Sequence, residues 1–185
     1  LWNGLFNLYG DYLTVTKGIA PGTGRLMLSL LFAAGVPAFF LTGRLADRVR
    51  NVPLLLAIVG GFAAAVLALT VVQGVVAVAL VSVVLGYVIH SLFPAVDTYL
   101  LSFLPDHHRA SAYAVFSASI MLVQAPGSGL IGTAVTRGAA YDAVFRGLAV
   151  VVLGVVGVLF VLYRSGVLPA GKMPGETAPG ASAGD

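Results

Sequence analysis

The chain has no cysteine, one tryptophan and few charges: Lys plus Arg number 10 and Asp plus Glu 7 in 185 residues. Without cysteine, thiol nucleophiles and zinc–thiolate centres are excluded, and redox compartment leaves no mark. Charged residues make up 9% of the chain, against about 25% in a soluble domain. Also missing is a basic cluster interleaved with aromatics. The net charge of +3 and pI near 9.5 therefore give no reason to expect nucleic acid as a partner.

What fills the space is apolar. Hydrophobic residues reach 59% and mean hydropathy is +1.00. A globule of this size has too little interior to hide so much apolar surface. The apolar runs are continuous rather than alternating, which excludes the strands of a membrane barrel. Helices satisfy their own backbone in lipid, so the composition predicts an all-α integral membrane protein in contact with a lipid bilayer.

The eight residues Gly43-Arg44-Leu45-Ala46-Asp47-Arg48-Val49-Arg50 hold three of the basic groups and one acid, between uncharged runs over 26–43 and 51–96. This is the composition of a tight turn between two membrane helices. The run 51–96 would measure roughly 69 Å as helix, twice a bilayer core, so it crosses twice and turns at Gln73-Gly74. Six spans follow: about 1–14, 25–43 with a kink at Pro37, 52–72, 75–103, 110–135 and 143–163. The first is short, and no basic region precedes it. It reads as the later part of a helix in a longer protein, not as a signal peptide. Residues 164–185, rich in Gly, Pro, Ala and Ser, read as a disordered tail.

Basic residues are biased by side. Arg44, Arg48, Arg50, Arg109, Arg164 and Lys172 fall on one, and Lys17, Arg25, Arg137 and Arg146 on the other. The positive-inside rule then places the 43–52 turn and the C-terminus in the cytoplasm of a multi-pass cell-membrane protein.

Polar groups are confined to particular spans. Asn3, Asn7 and Asp11 recur at four-residue spacing on one helical face. His90, Pro94 and Asp97 share a face of the fourth span, with Tyr87 one turn earlier. Gln124 sits in the fifth. Ionisable groups at membrane depth face a water-filled cavity or a partner. Cavity lining is therefore one reading of Asn3, Asn7, Asp11, Tyr87, His90 and Gln124, and hydrogen bonding between helices is the other. Histidine is the side chain whose ordinary pKa lies near neutrality, so His90, with Asp97 and Asp11, is a candidate for proton coupling; a packing histidine and a paired aspartate are the alternatives. The third and sixth spans carry almost no polar group and suit lipid. The order cavity, packing, lipid occurs twice, as in two three-helix repeats.

Two further clusters suggest chemistry. His107-His108 lack a third ligand at metal-binding spacing, so no metal site is expected. Ser128 and His90 supply the residue types of an intramembrane serine protease, but Pro126 stands where its loop needs glycine. No enzymatic activity and no cofactor are expected.

With Gly43, Leu45, Ala46, Asp47 and Arg48 in register, the 43–50 turn resembles the loop signature Gly-x-Leu-Ala-Asp-Arg-x-Gly-Arg-Lys of the major facilitator superfamily. Arg50, Asn51 and Val52 depart from it, as is usual in the second copy. Pro126, Gly127, Gly129 and Gly132 are similar to a Gly-Pro-x-x-Gly-Gly helix-packing pattern of the same family. The resemblance covers 1–163 and implies the C-terminal six-helix half of a twelve-helix fold. It implies secondary active transport of a small solute by alternating access, with Gly43, Asp47 and Arg48 as a gating motif and an N-terminal half as partner. A non-transporting assembly or sensor module, or a half-size protein needing a partner half, is the competing expectation.

Overall fold

The computed structural model describes residues 2–103 and 109–167. They form α1 (Trp2–Val15), α2 (Pro21–Ala33), α3 (Gly35–Ala46), α4 (Asn51–Val71), α5 (Val75–Phe103), α6 (Arg109–Gln124), α7 (Gly127–Thr136) and α8 (Tyr141–Arg164). Two pairs continue one another, α2 with α3 through Ala34 and α6 with α7 through residues 125–126, so eight helices make six rods. Five of these are long and apolar enough to cross a membrane. α1, with 14 residues, would reach only about 21 Å.

The breaks have identifiable causes. A proline ring clashes with the carbonyl four residues earlier and supplies no donor to it. For Pro37 that carbonyl belongs to Ala33, the last residue of α2. The kink thus falls one turn before the proline that causes it. Pro126 sits directly at the second break, as the N-cap of α7. Pro94 is absorbed within α5. Between α4 and α5 the chain turns at Gly74, whose φ of 83° suits a residue without Cβ.

α5 is the centre of the bundle, packed against α2, α3 and α4, while α8 lies on α4, and α1 on α2 and α7. The main core gathers around α1: Tyr9, Tyr12 and Leu13 are fully buried with Leu31, Leu69, Leu85 and Phe145. A smaller cluster at the other end joins Ala46, Leu54, Ile58 and Ala95. Lipid is as apolar as leucine, so close packing and hydrogen bonds hold such helices together. A Cβ on Gly86 would lie 2.1 Å from the Leu31 carbonyl oxygen, and one on Gly4 would lie 2.7 Å from that of Gly127. Any side chain there would force α5 off α2, or α1 off α7.

Hydrogen bonds pin the same contacts. The Ser82 hydroxyl gives its proton to the Val78 carbonyl, so the buried Tyr9 hydroxyl is the donor in its bond to Ser82. Thr42 donates to Ser91 at 2.8 Å, tying α3 to α5. Each such bond contributes roughly 0.6 kcal/mol in a membrane protein. α6, by contrast, has no buried residue.

Candidate functional site

His90 lies midway along α5. Its Nδ1 is 2.6 Å from the Gly86 carbonyl oxygen. An acceptor there assigns the proton to Nδ1, which leaves Nε2 as an acceptor in the neutral ring. The imidazole fits because residue 35, opposite it, has no side chain: a Cβ there would be 2.7 Å from His90 Cγ. The break between α2 and α3 and the histidine therefore occupy the same place.

Four phenylalanines extend this ring into a wall. His90 is 5.6 Å from Phe32, 6.2 Å from Phe39 and 6.3 Å from Phe93, centroid to centroid. Phe32 stacks on Phe6 of α1 at 5.4 Å, and Phe39 on Phe93 at 5.8 Å. Two stacked pairs thus flank one imidazole. Phe32, Phe39 and Phe93 keep 50%, 47% and 40% of their surface exposed. The sequence singled out His90 but not these rings. Their only local signal is spacing: Phe32 and Phe39 are two turns apart, and Phe93 is three residues from His90.

The other expected cavity residues lie on α1, α5 and α6. Asn7 and Asp11 are both exposed on α1. Asn7 Nδ2 donates to Ser128 Oγ at 2.7 Å, so it bridges α1 to α7. The Asn3 side chain lies outside the described part of the structure. Tyr87 is half-buried, and its carbonyl accepts from Ser91 Oγ. Gln124 is half-buried at the last position of α6. Asp97 is half-buried and accepts a hydrogen bond from the Tyr113 hydroxyl at 3.0 Å, joining α5 to α6. On the packing motif, Gly127 is buried against Gly4, whereas a Cβ on Gly129 or Gly132 would meet nothing within 4 Å. Among the described residues Ser128 is partnered by Asn7, not by His90.

The 43–50 stretch is helical in its first half. Gly43 lies within α3, which runs on to Ala46, and Asp47 is its C-cap. Arg44 belongs to the last helical turn, where a cation complements the helix dipole, and its guanidinium lies 3.9 Å over the Phe40 ring. The fully buried Ala46 anchors this end, while Asp47 and Arg48 are exposed and make no ion pair among the described residues. Next to them Asn51 is 3% exposed, and its Oδ1 has no hydrogen-bond partner among the described residues.

A second polar assembly went unread in the sequence. Lys17 Nζ donates to the carbonyls of Thr70 and Val72 at 3.2 and 3.1 Å and lies 3.9 Å from Asp142 Oδ1. Arg146 reaches Thr70 Oγ1 through Nε at 3.0 Å and the Thr70 carbonyl at 3.3 Å. The Tyr12 hydroxyl, with one proton, sits 2.8 Å from Asp142 Oδ1 and 3.0 Å from the Leu69 carbonyl. The last carbonyls of α4 are thereby capped by two cations, which oppose the negative end of its dipole.

His107, His108 and residues 168–185 lie outside the described residues. Within the described ones, no group of three or more His, Cys, Asp or Glu is placed to hold a metal ion.

Six rods, five of them long and apolar enough to cross a bilayer, define a multi-pass membrane protein. A family model described as Major Facilitator Superfamily matches residues 1–182, and the chain belongs to that superfamily. Comparison with curated proteins gave no match.

Proposed function

We propose that the chain is the C-terminal half-bundle, residues 1–163, of a secondary transporter that moves a small solute across the cell membrane by alternating access. The observation that carries this, beside family membership, is His90: a half-buried ionisable group at the middle of the central helix, among rings that remain exposed. Such groups at membrane depth mark substrate or ion pathways. Asn7, Asp11, Tyr87 and Gln124 complete the cavity surface in this reading, with Asn3 further along the face of α1. An N-terminal half-bundle closes the other side. The Asp47 end, with the C-terminus, faces the cytoplasm, and Asp47 and Arg48 gate against the opposite half. His90, Asp97 and Asp11 provide for proton coupling.

The test uses the full-length protein in proteoliposomes. Asp47→Asn lowers the transport rate about tenfold, equivalent to about 1.4 kcal/mol on the limiting step, with no shift in the thermal midpoint. Unchanged transport would remove Asp47 from the gate. Proton coupling is tested by His90→Ala with Asp11→Asn; a transport pH profile identical to wild type would sink that part of the reading.

A further inference from the structure

We infer that the cleft between α4 and α8 holds one anionic phospholipid, with an acyl chain along the two helices and its phosphate at Arg50 and Arg164. This goes beyond the transport reading and does not depend on it.

The cleft comes first. It measures about 480 Å³ and is lined by apolar side chains, among them Val52, Leu55 and Val59 of α4 and Val151 and Leu159 of α8; Tyr99 of α5 is the one polar side chain on its wall. Val52 to Val59 is about 10 Å of helix and Val151 to Leu159 about 12 Å. The cleft therefore fits within one leaflet of a roughly 30 Å hydrocarbon core. Helix contacts fix which residues stand at its mouth. Thr70 of α4 meets Arg146 of α8, and Gly60, ten residues earlier, faces Val156, ten residues later. The helices are antiparallel in that register, so eight residues further Val52 comes level with Arg164. Gly61 faces Val88 of α5, and the same antiparallel step brings Arg50 level with Tyr99. One end of the cleft thus carries two arginines and a tyrosine, and the other, at Val59 and Val151, is apolar.

The charge at the mouth is the second observation. Arg50 and Arg164 are both exposed. Arg50 is the N-cap of α4 and provides no side-chain cap, so the first N–H groups of α4 lack an intrahelical acceptor and the positive end of its dipole lies at the same mouth. Two acids lie near this end among the described residues. Asp97 is level with Val52, but it accepts the Tyr113 hydroxyl of α6, and two residues of helix turn it about 200° from Tyr99. Asp47 is exposed at the end of α3 and is followed in the chain by Arg48, also exposed. Arg50 and Arg164 remain as a cationic pair above an apolar slot.

A bilayer supplies both complements at this depth. Tyrosine favours the headgroup level, and guanidinium groups grip phosphate oxygens. A zwitterionic headgroup brings its own cation to the two arginines. A soluble anion leaves the slot unfilled. A second copy, related by a two-fold axis along the membrane normal, sets arginines level with arginines.

The test titrates the purified full-length protein in dodecyl maltoside with palmitoyl-oleoyl phosphatidylglycerol or phosphatidylcholine, and counts bound lipid by native mass spectrometry. Phosphatidylglycerol is expected to bind about tenfold more tightly. Arg50→Gln and Arg164→Gln each weaken it about fivefold, and the double variant binds the two lipids alike. Both positions are exposed, and an unchanged thermal midpoint in lipid-free detergent shows that these variants fold. Val155→Trp, which fills the cleft, removes the saturable binding of both lipids. Val158→Trp, on the exposed face of α8 outside the cleft, changes neither. Equal affinity of the wild type for the two lipids overturns the inference. So does a preference that survives both the arginine changes and Val155→Trp. Displacement of the lipid by an equal concentration of glycerol 1-phosphate overturns it in favour of a soluble anion, and a dimer that Val155→Trp splits overturns it in favour of a second copy.

Discussion

Where α4 ends, Tyr12 and Lys17 meet Asp142, and Tyr12, Lys17 and Arg146 reach the last α4 carbonyls. Where α4 begins, Asp47 and Arg48 are exposed, and Asn51 holds a buried oxygen with no donor among the described residues. The same helix is therefore sealed at one end and chemically open at the other. The large core cluster, with its buried tyrosines, lies toward the sealed end; the small one, around Ala46 and Ala95, lies toward the open end. In physical terms the sealed end has many buried contacts and satisfied polar groups, which are the marks of high local stability. The open end leaves its charged groups exposed. In the transport reading proposed above, a half-bundle that rocks as a rigid body needs both: one end that holds its helices in register, and one whose polar groups are available to be engaged and released.

The largest expected effect is at the sealed end. Asp142→Ala leaves the Lys17 ammonium beside carbonyl dipoles but without its counter-charge. Removing one partner of a fully buried pair costs about 3–5 kcal/mol. Asp142 is 24% exposed and the separation is 3.9 Å, so about 2–3 kcal/mol is expected here. Thermal unfolding of the full-length protein in detergent measures it. The matched change at the open end, Asp47→Ala, should stay within about 0.5 kcal/mol, as for other surface positions. Equal losses at the two ends would break the comparison.

A smaller effect, of opposite sign, is expected at Asn51. A buried acceptor without a donor costs about 1–3 kcal/mol. Leucine has similar reach and no such cost, so Asn51→Leu should raise stability by about 1 kcal/mol. A loss of that size would mean that a donor from beyond the described residues reaches Oδ1, and the open end would then be partly closed in the whole protein.

The rods were legible because their causes are local. Uncharged runs of bilayer length predict spans, Gly74 marks a turn, and Pro37 marks a kink whose position shifts one turn because the clash is with Ala33. The 43–50 motif was legible as a pattern. Its first half proved helical because Arg44, Leu45 and Ala46 continue α3 and find a ring and a core cluster to rest on. The polar assemblies were not legible. Lys17 and Thr70 are 53 residues apart, Tyr12 and Asp142 are 130, and Thr70 and Arg146 are 76; no period within a helix connects them. The aromatic wall was hidden for a related reason. Phe32 and Phe39 look like any apolar residue of a membrane helix until α2, α3 and α5 bring them to His90. The face formed by Asn7 and Asp11 was visible from its spacing, but that Asn7 would meet Ser128 depended on how α7 crosses α1.

The smallest predicted effect follows from Lys17, in the turn beyond α1. Its side chain has no exposed surface, although the residue as a whole is half-buried. Burial pushes its pKa down; Asp142 opposes this by favouring the charged form, and Arg146 adds to it. An unfolded lysine titrates near about 10.4. Between the lower folded value and that one, the unfolded chain binds the extra proton, so stability rises as pH rises through the interval. The two bonds to the Thr70 and Val72 carbonyls explain why deprotonation does no harm: a neutral amine still has two protons to donate to them. The measurement is the difference between wild type and Lys17→Met in unfolding free energy from pH 7 to pH 10. Wild type should gain on the variant as pH rises. A loss instead would mean that the attraction to Asp142 outweighs burial, and that charge pairing, rather than carbonyl capping by Lys17, holds the sealed end together.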